Sequence, residues 1–229
     1  LLLSACGSDE DERIIFDTVT VDKVVKLSNE ENSPSCAVHL QIRYATEENG
    51  HKAEVVNSFI LDKLLNLKDL DMQQAVDSFA NNYVATYLRD LLPLYNQDRA
   101  DTAKRSWYDY HYIITTEARP CQLGTTAYIA IIDYYEGGSH NYDLQQTINF
   151  ETKTGRQLTL EDIFVAGYEN QLSSVLQAAL YDKLGVYELS DLHEKGYLHS
   201  IDMFPSKNFV LDNETITFIY NPSEIAPYD

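Results

Sequence analysis

Three groups of residues have types and spacings that could do chemistry. The first is Cys6, which closes the run Leu1-Leu2-Leu3-Ser4-Ala5-Cys6 and is followed by Gly7, Ser8 and an acidic stretch from Asp9 to Glu12. An apolar run that ends in small residues and a cysteine is the tail of a bacterial lipoprotein signal peptide, in which the thiol receives a diacylglycerol and cleavage makes it the new N-terminus. Cys6 is therefore expected to be a lipid anchor, with a chance LSAC in a core strand as the alternative. The second group is Tyr134-Tyr135-Glu136-Gly137-Gly138-Ser139-His140-Asn141-Tyr142. An apolar strand that stops at two glycines can bring its backbone close to another group, and here it carries rings, an imidazole and an amide at the lip. Tyr135, Glu136, Gly137, Gly138, His140 and Asn141 are the candidate ligand-binding residues. Such rings suit a sugar or a protein surface, since they give contact area at small entropy cost. The alternative is a strained turn whose histidine caps a carbonyl. The third group is Cys36 and Cys121. Outside the cytoplasm they could form a disulfide contributing roughly 4 to 5 kcal/mol in the chain-entropy model, or remain two buried free thiols.

Other chemistry finds little support. Histidines stand at 39, 51, 111, 140, 193 and 199, and no two have the i, i+4 spacing that presents two imidazoles to zinc from one helix. HExxH, the G-x-S-x-G nucleophile elbow, the Walker loop and G-x-G-x-x-G are all missing from the sequence. No metal, cofactor or catalytic set is expected, and an enzyme is the less favoured class. The rival reading is an envelope glycan hydrolase with His140 and Glu136 as acid-base groups. A third is a structural lipoprotein with no small ligand.

Charge narrows the partners. Lys plus Arg number 17 and Asp plus Glu 36, a net charge of −19, so there is no surplus of cations to displace counterions from nucleic acid phosphates. Acidic surfaces keep proteins soluble and attract basic partners. No window approaches the ~20 apolar residues that span a bilayer, so the expected hold on the membrane is the acylated Cys6 alone, outside the cytoplasm, on the periplasmic side or at the cell surface of an outer membrane. The acidic residues after Cys6 read as a surface-export tether or as a plain solvated spacer.

Positioning elements follow from the periodicities. Arg13 to Leu27 and Cys36 to Tyr44 alternate as strands, and Asn49-Gly50 before Val55 to Leu61 predicts a hairpin with the second of them. Met72 to Leu92 carries an unbroken i, i+3, i+4 apolar stripe capped by Asp71, and Pro93 is expected to end it. Trp107 to Ala118 and Thr125 to Glu136 read as long strands. Asp143 to Phe150 and Gln157 to Leu160 form a hairpin about Lys153-Thr154-Gly155. A helix is predicted from Tyr168 to Leu184 with Leu172, Val175, Leu176, Ala179 and Leu180 inward, then a short helix from Ser190 to Lys195. Phe209 to Leu211 and Thr215 to Tyr220 make a last hairpin. Strands joined by hairpins rather than alternating with helices predict an α+β fold: antiparallel sheets, helices packed on one face, and two similar-sized subdomains dividing near Arg119-Pro120.

Three segments carry a family resemblance: Tyr135 to Asn141 (YEGGSHN), Ile148 to Phe164 (INFETKTGRQLTLEDIF) and Ile216 to Tyr228 (ITFIYNPSEIAPY). They resemble the RsiV-like family, which joins two domains of unknown function, 4163 and 3298, and includes Bacteroides-type lipoproteins. The resemblance implies residues 1–12 as lipobox and tether, 13–119 as a 4163-like domain and 120–229 as a 3298-like domain truncated at its end. It also implies a non-enzymatic binding module, whose ligand would be a basic protein such as lysozyme or a cell-wall glycan.

Overall fold

A computed structural model gives the fold and describes residues 13–121, 124–138 and 140–227. Cys6 and the acidic tether lie outside the described residues. The fold is mixed α+β: a six-stranded, mostly antiparallel sheet with helices packed against it, and a smaller C-terminal part with its own core.

The sheet runs in chain order: β1 (Phe16–Lys26), β2 (Ser35–Ala45), β3 (Tyr110–Cys121), β4 (Thr125–Glu136), β5 (Tyr142–Glu151) and β6 (Gln157–Leu158). Strand alternation sets its core face. Val38, Leu40 and Ile42 of β2, Ile114 of β3, Tyr128, Ala130 and Ile132 of β4, and Ile148 and Phe150 of β5 are all buried in one cluster. Each fully buried Val, Leu, Ile or Phe among them contributes about 1.5 to 3 kcal/mol. Two helices cover this face, α1 (His51–Leu65) and α2 (Met72–Asp98).

Helix α1 corrects the expected hairpin. The β-branched run Val55-Val56 with Phe59-Ile60-Leu61 looks like a strand, but the buried positions are Ala53, Val56, Ile60, Leu61, Leu64 and Leu65, the stripe of a 15-residue helix. With no strand from that segment to pair with, β2 takes β3 as its neighbour. The chain reaches β3 by crossing over through both helices, so Cys36↔Tyr110 to Gln41↔Thr115 is a parallel pairing within the sheet.

Helix α2 starts as expected, Asp71 accepting from the Gln74 N–H at 2.9 Å. It does not stop at Pro93, which lies inside it. An interior proline costs about 3 kcal/mol. The turn beyond it is held by tertiary contacts: Tyr95 is buried, its ring meets Tyr108 edge-on at 5.6 Å, and Tyr108 donates to Asp98 at 2.8 Å. Pro120 sits in β3 past the end of its pairing with β2, where the strand has a neighbour on the β4 side alone.

The expected division at 119–120 falls inside β3, which pairs with β4 from Tyr110↔Glu136 to Cys121↔Thr125 across that point. The second core lies further along. It holds Val186, Leu192, Leu198 and Met203, with elements α3 (Leu160–Ile163), α4 (Glu169–Leu184), α5 (Leu189–Glu194), β7 (Phe209–Leu211) and β8 (Ile216–Phe218). Helix α4 has no buried residue, and Val175, expected inward, is 58% exposed; Leu176 and Leu180 only lean on the small core. Gly185 ends it as the sequence predicts.

Strand β7 lies against the helix-free face of the sheet, where Val210 packs with Ala127 and Ile129. Side-chain amides do the fastening. Asn149, buried in β5, donates to Phe209 O at 2.8 Å and accepts from Leu211 N–H at 2.9 Å. Asn221 does the same for Gln145, accepting from its N–H at 2.8 Å and donating to its carbonyl at 3.1 Å. Replacing Asn149 by Ala leaves the partly buried Leu211 N–H without this partner and Phe209 O with Thr147 Oγ1 alone of the two. Urea unfolding should show a loss of about 2 to 4 kcal/mol, with faster hydrogen exchange at Leu211; unchanged exchange there would contradict the pinning role.

Candidate functional site

The candidate residues cluster where β4 ends, and the strand's period of two divides them. Tyr134 and Glu136 point to the helix face, Asp133 and Tyr135 to the other. The lip read from the sequence as one surface is therefore two.

On the helix-free face, His111 of β3 stands across from Tyr135 in the ladder, their rings 6.2 Å apart and nearly parallel. His111 Nε2 lies 2.7 Å from Asp133 Oδ1, both side chains about one-third exposed, and Asn141 Nδ2 donates to the same oxygen at 2.8 Å. Tyr135 hydroxyl donates to Gly138 O at 2.9 Å and ties the ring to the lip. The platform thus consists of two stacked rings beside a carboxylate and an amide whose orientations are already set. Burial pushes the Asp133 carboxyl up, but the hydrogen bonds from His111 and Asn141 outweigh it and hold the group below the usual aspartate range. His140 is exposed on the lip, and Ser139 lies outside the described residues.

On the helix face, Tyr83 of α2 donates to Glu136 Oε1 at 2.8 Å. Burial, reinforced by that carboxylate, pushes the Tyr83 hydroxyl far up, and Tyr112 is pushed up to about 12 by burial and its neighbours Tyr134 and Glu136. Glu136 borders a cavity of about 450 Å³ between α2 and the sheet end. A larger groove of about 710 Å³ runs between α4 and β8.

Cys36 and Cys121 are not brought together. Register places Cys36 beside Tyr110 at the start of β3 and Cys121 at its far end, roughly 36 Å away at 3.3 Å per residue. Both are free. Burial pushes the Cys36 thiol up to about 12, so it stays protonated and is a poor nucleophile. Among the described residues no three His, Cys, Asp or Glu side chains assemble as a metal site, and no helix is long and apolar enough to cross a membrane.

Sequence reasoning missed His111, Asp133 and Tyr83. A signal for Asp133 was present: it is the one charged residue between Thr125 and Tyr135, in the most apolar strand of the chain. His111 and Tyr83 meet their partners only through strand register and helix packing, which local patterns do not carry.

Gly137 is the tight point of the lip. Its φ is +78°, and a Cβ there would lie 2.9 Å from Trp107 O; Gly138 has φ +101° with open space around it. Gly137→Ala should cost about 2 to 3 kcal/mol and Gly138→Ala about 1, measured by thermal or urea unfolding; equal losses would mean the Trp107 contact is slack. Asp133 gives a pH prediction. Its lowered value contributes stability that is fully present above the ordinary aspartate value of about 3.9 and is lost as pH falls through the lower folded value. Asp133→Asn should shift the urea midpoint down at pH 7 and flatten its fall between about pH 5 and pH 2; an unchanged acid profile would refute the linkage.

Residues 161–229 match the model of a family described as protein of unknown function, DUF3298. The match begins at 161 rather than at the expected 120. No curated protein matches the chain in sequence. Among solved structures, a DUF3298-family member from Bacteroides fragilis is similar with a TM-score of 0.83 and 26% identity, over 94% of this chain and 86% of that one. A DUF3298-family protein from Pseudomonas aeruginosa aligns over the same shares with a TM-score of 0.58 and 14% identity, a likeness of fold alone.

Proposed function

We propose that the chain is a non-enzymatic, lipid-anchored binding protein of the bacterial cell envelope, in which residues 13–119 form a 4163-like part ahead of the DUF3298 domain. Cys6 carries the acyl chains and places the molecule on the periplasmic side or at the cell surface. The observation that carries the binding role is the platform of His111 and Tyr135. Its rings are stacked, its carboxylate and amide are oriented by one another, and its backbone is pinned at Gly138. Pre-set aromatic and polar groups of this kind suit a sugar ring or a protein surface, because little entropy is lost on binding. A cell-wall glycan or a lysozyme-like protein is the ligand class, and the net charge of −19 favours fast encounter with a basic protein.

The His111–Asp133 pair also fits a second reading, a glycan-acting hydrolase in which Asp133 orients the imidazole. Calorimetric titration of lysozyme and of muropeptides, at low and physiological salt, separates the readings. Saturable heat without product, weakened about tenfold or more by Tyr135→Ala or His111→Ala, supports the receptor; turnover lost in His111→Ala supports the hydrolase. No heat with either ligand removes both. Cys6→Ala should move the protein from the membrane fraction to the soluble one.

A further inference from the structure

The cavity on the helix face is walled by Phe79, Tyr83 and Tyr87, one stripe of α2 at i, i+4, i+8, with Tyr110 opposite and Glu136 and Asp90 at its border. The Tyr87 ring lies 5.3 Å from Tyr110, and Phe79 and Tyr83 stack at 6.2 Å. Tyr87 turns its hydroxyl away to Tyr108 O at 2.9 Å, while Tyr83 uses its own to hold the Glu136 carboxylate. Asp90 is neutralised by Arg89 at 2.7 Å. Glu136 has no such partner: among the described residues no ion pair joins it to a lysine, arginine or histidine. The result is an open groove of small-ligand size, about 450 Å³, lined by aromatic rings and leucines, with one exposed negative charge at its rim that no cationic side chain pairs.

Anions are repelled from such a place, and a neutral apolar molecule gains nothing from the carboxylate. An organic ammonium gains from both, through attraction to the ring faces and to the carboxylate, and a quaternary one has less hydration to lose than a primary one. We propose that this cavity binds an ammonium group, primary or quaternary, with Glu136 as its counter-ion and Tyr83 and Tyr110 as its aromatic walls. The group could belong to a free amine or to a lysine side chain of a polypeptide. The inference does not rest on the glycan or lysozyme reading, which uses the opposite face of the sheet.

The test compares choline and N-acetyl-lysine methylamide with 3,3-dimethylbutan-1-ol, the uncharged isostere of choline, titrated into the full chain and followed by tyrosine ring NMR signals and calorimetry. Both ammonium probes should saturate, the better of them at least about tenfold tighter than the alcohol. Tighter binding of choline points to a free quaternary ammonium compound, tighter binding of the lysine derivative to a primary ammonium such as a polypeptide lysine; either supports the site. Glu136→Gln should weaken the ammonium probes about tenfold and leave the alcohol unchanged, and Tyr83→Phe, which keeps the ring but frees the carboxylate, should weaken them two- to threefold. Leu176→Ala, in the separate groove beside α4, should change nothing. Should Glu136→Gln fail to fold, the wild-type comparison of choline with its isostere still decides. Equal affinity for choline and the alcohol, absence of saturation, or ammonium binding untouched in a folded Glu136→Gln protein would overturn the proposal.

Discussion

A strand covered on both faces cannot slip by one residue without turning every side chain to the wrong layer, and β4 is such a strand. Tyr128, Ala130 and Ile132 are buried beneath the helices, while Ala127 and Ile129 are buried beneath β7. The alternation that satisfies both layers continues past the buried part. It delivers Asp133 and Tyr135 to one face and Tyr134 and Glu136 to the other, so core packing at one end of β4 dictates which chemistry meets which surface at the other. The break at Gly137 then ends the strand where its backbone nearly touches Trp107.

The C-terminal part depends on a different device. Its core is small, and α4 has no buried residue, so apolar burial alone holds it weakly. Amide side chains, Asn149 and Asn208 buried and Asn221 half-buried, supply what packing does not. Asn149 and Asn221 each satisfy one backbone N–H and one carbonyl, as a neighbouring strand would, and Asn208 donates to Gln145 O at 2.6 Å. Such bonds are directional. They fix where the C-terminal segment crosses the sheet, at a cost if any partner is removed, because the groups they satisfy are partly shielded from water.

Most strands were legible because one dry face gives a period of two, and α2 was legible because its stripe is long and Asp71 caps it. The errors share one cause. Val55 to Leu61 is locally as good a strand as a helix, and only its burial against β2 and β5 selects the helix. Pro93 is locally a stop, and only the anchoring of Tyr95 and Tyr108 carries α2 through it. The candidate site was half legible for the same reason. The double glycine and its rings announced themselves in sequence, while the residues that orient them come from β3 and α2, brought there by pairings that no local window contains.

Glu136 governs the electrostatics of the helix face through what surrounds it. Tyr83, Tyr110, Tyr112 and Cys36 are all pushed up, first by burial and then by neighbouring charge to which the Glu136 carboxylate contributes in each case; groups already neutral at pH 7 at their ordinary values stay so and add no charge of their own. The field in the cavity therefore has a simple source. Burial strips water from the inner ring faces, and a carboxylate held at their edge by Tyr83 adds its attraction for a cation to theirs. On the opposite face Asp133 is already committed to His111 and Asn141, so its charge is spent on orienting a surface rather than left to draw an ion. One strand thus presents two carboxylates in opposite states, one satisfied and one waiting, and the difference lies in what the neighbouring elements place across from each.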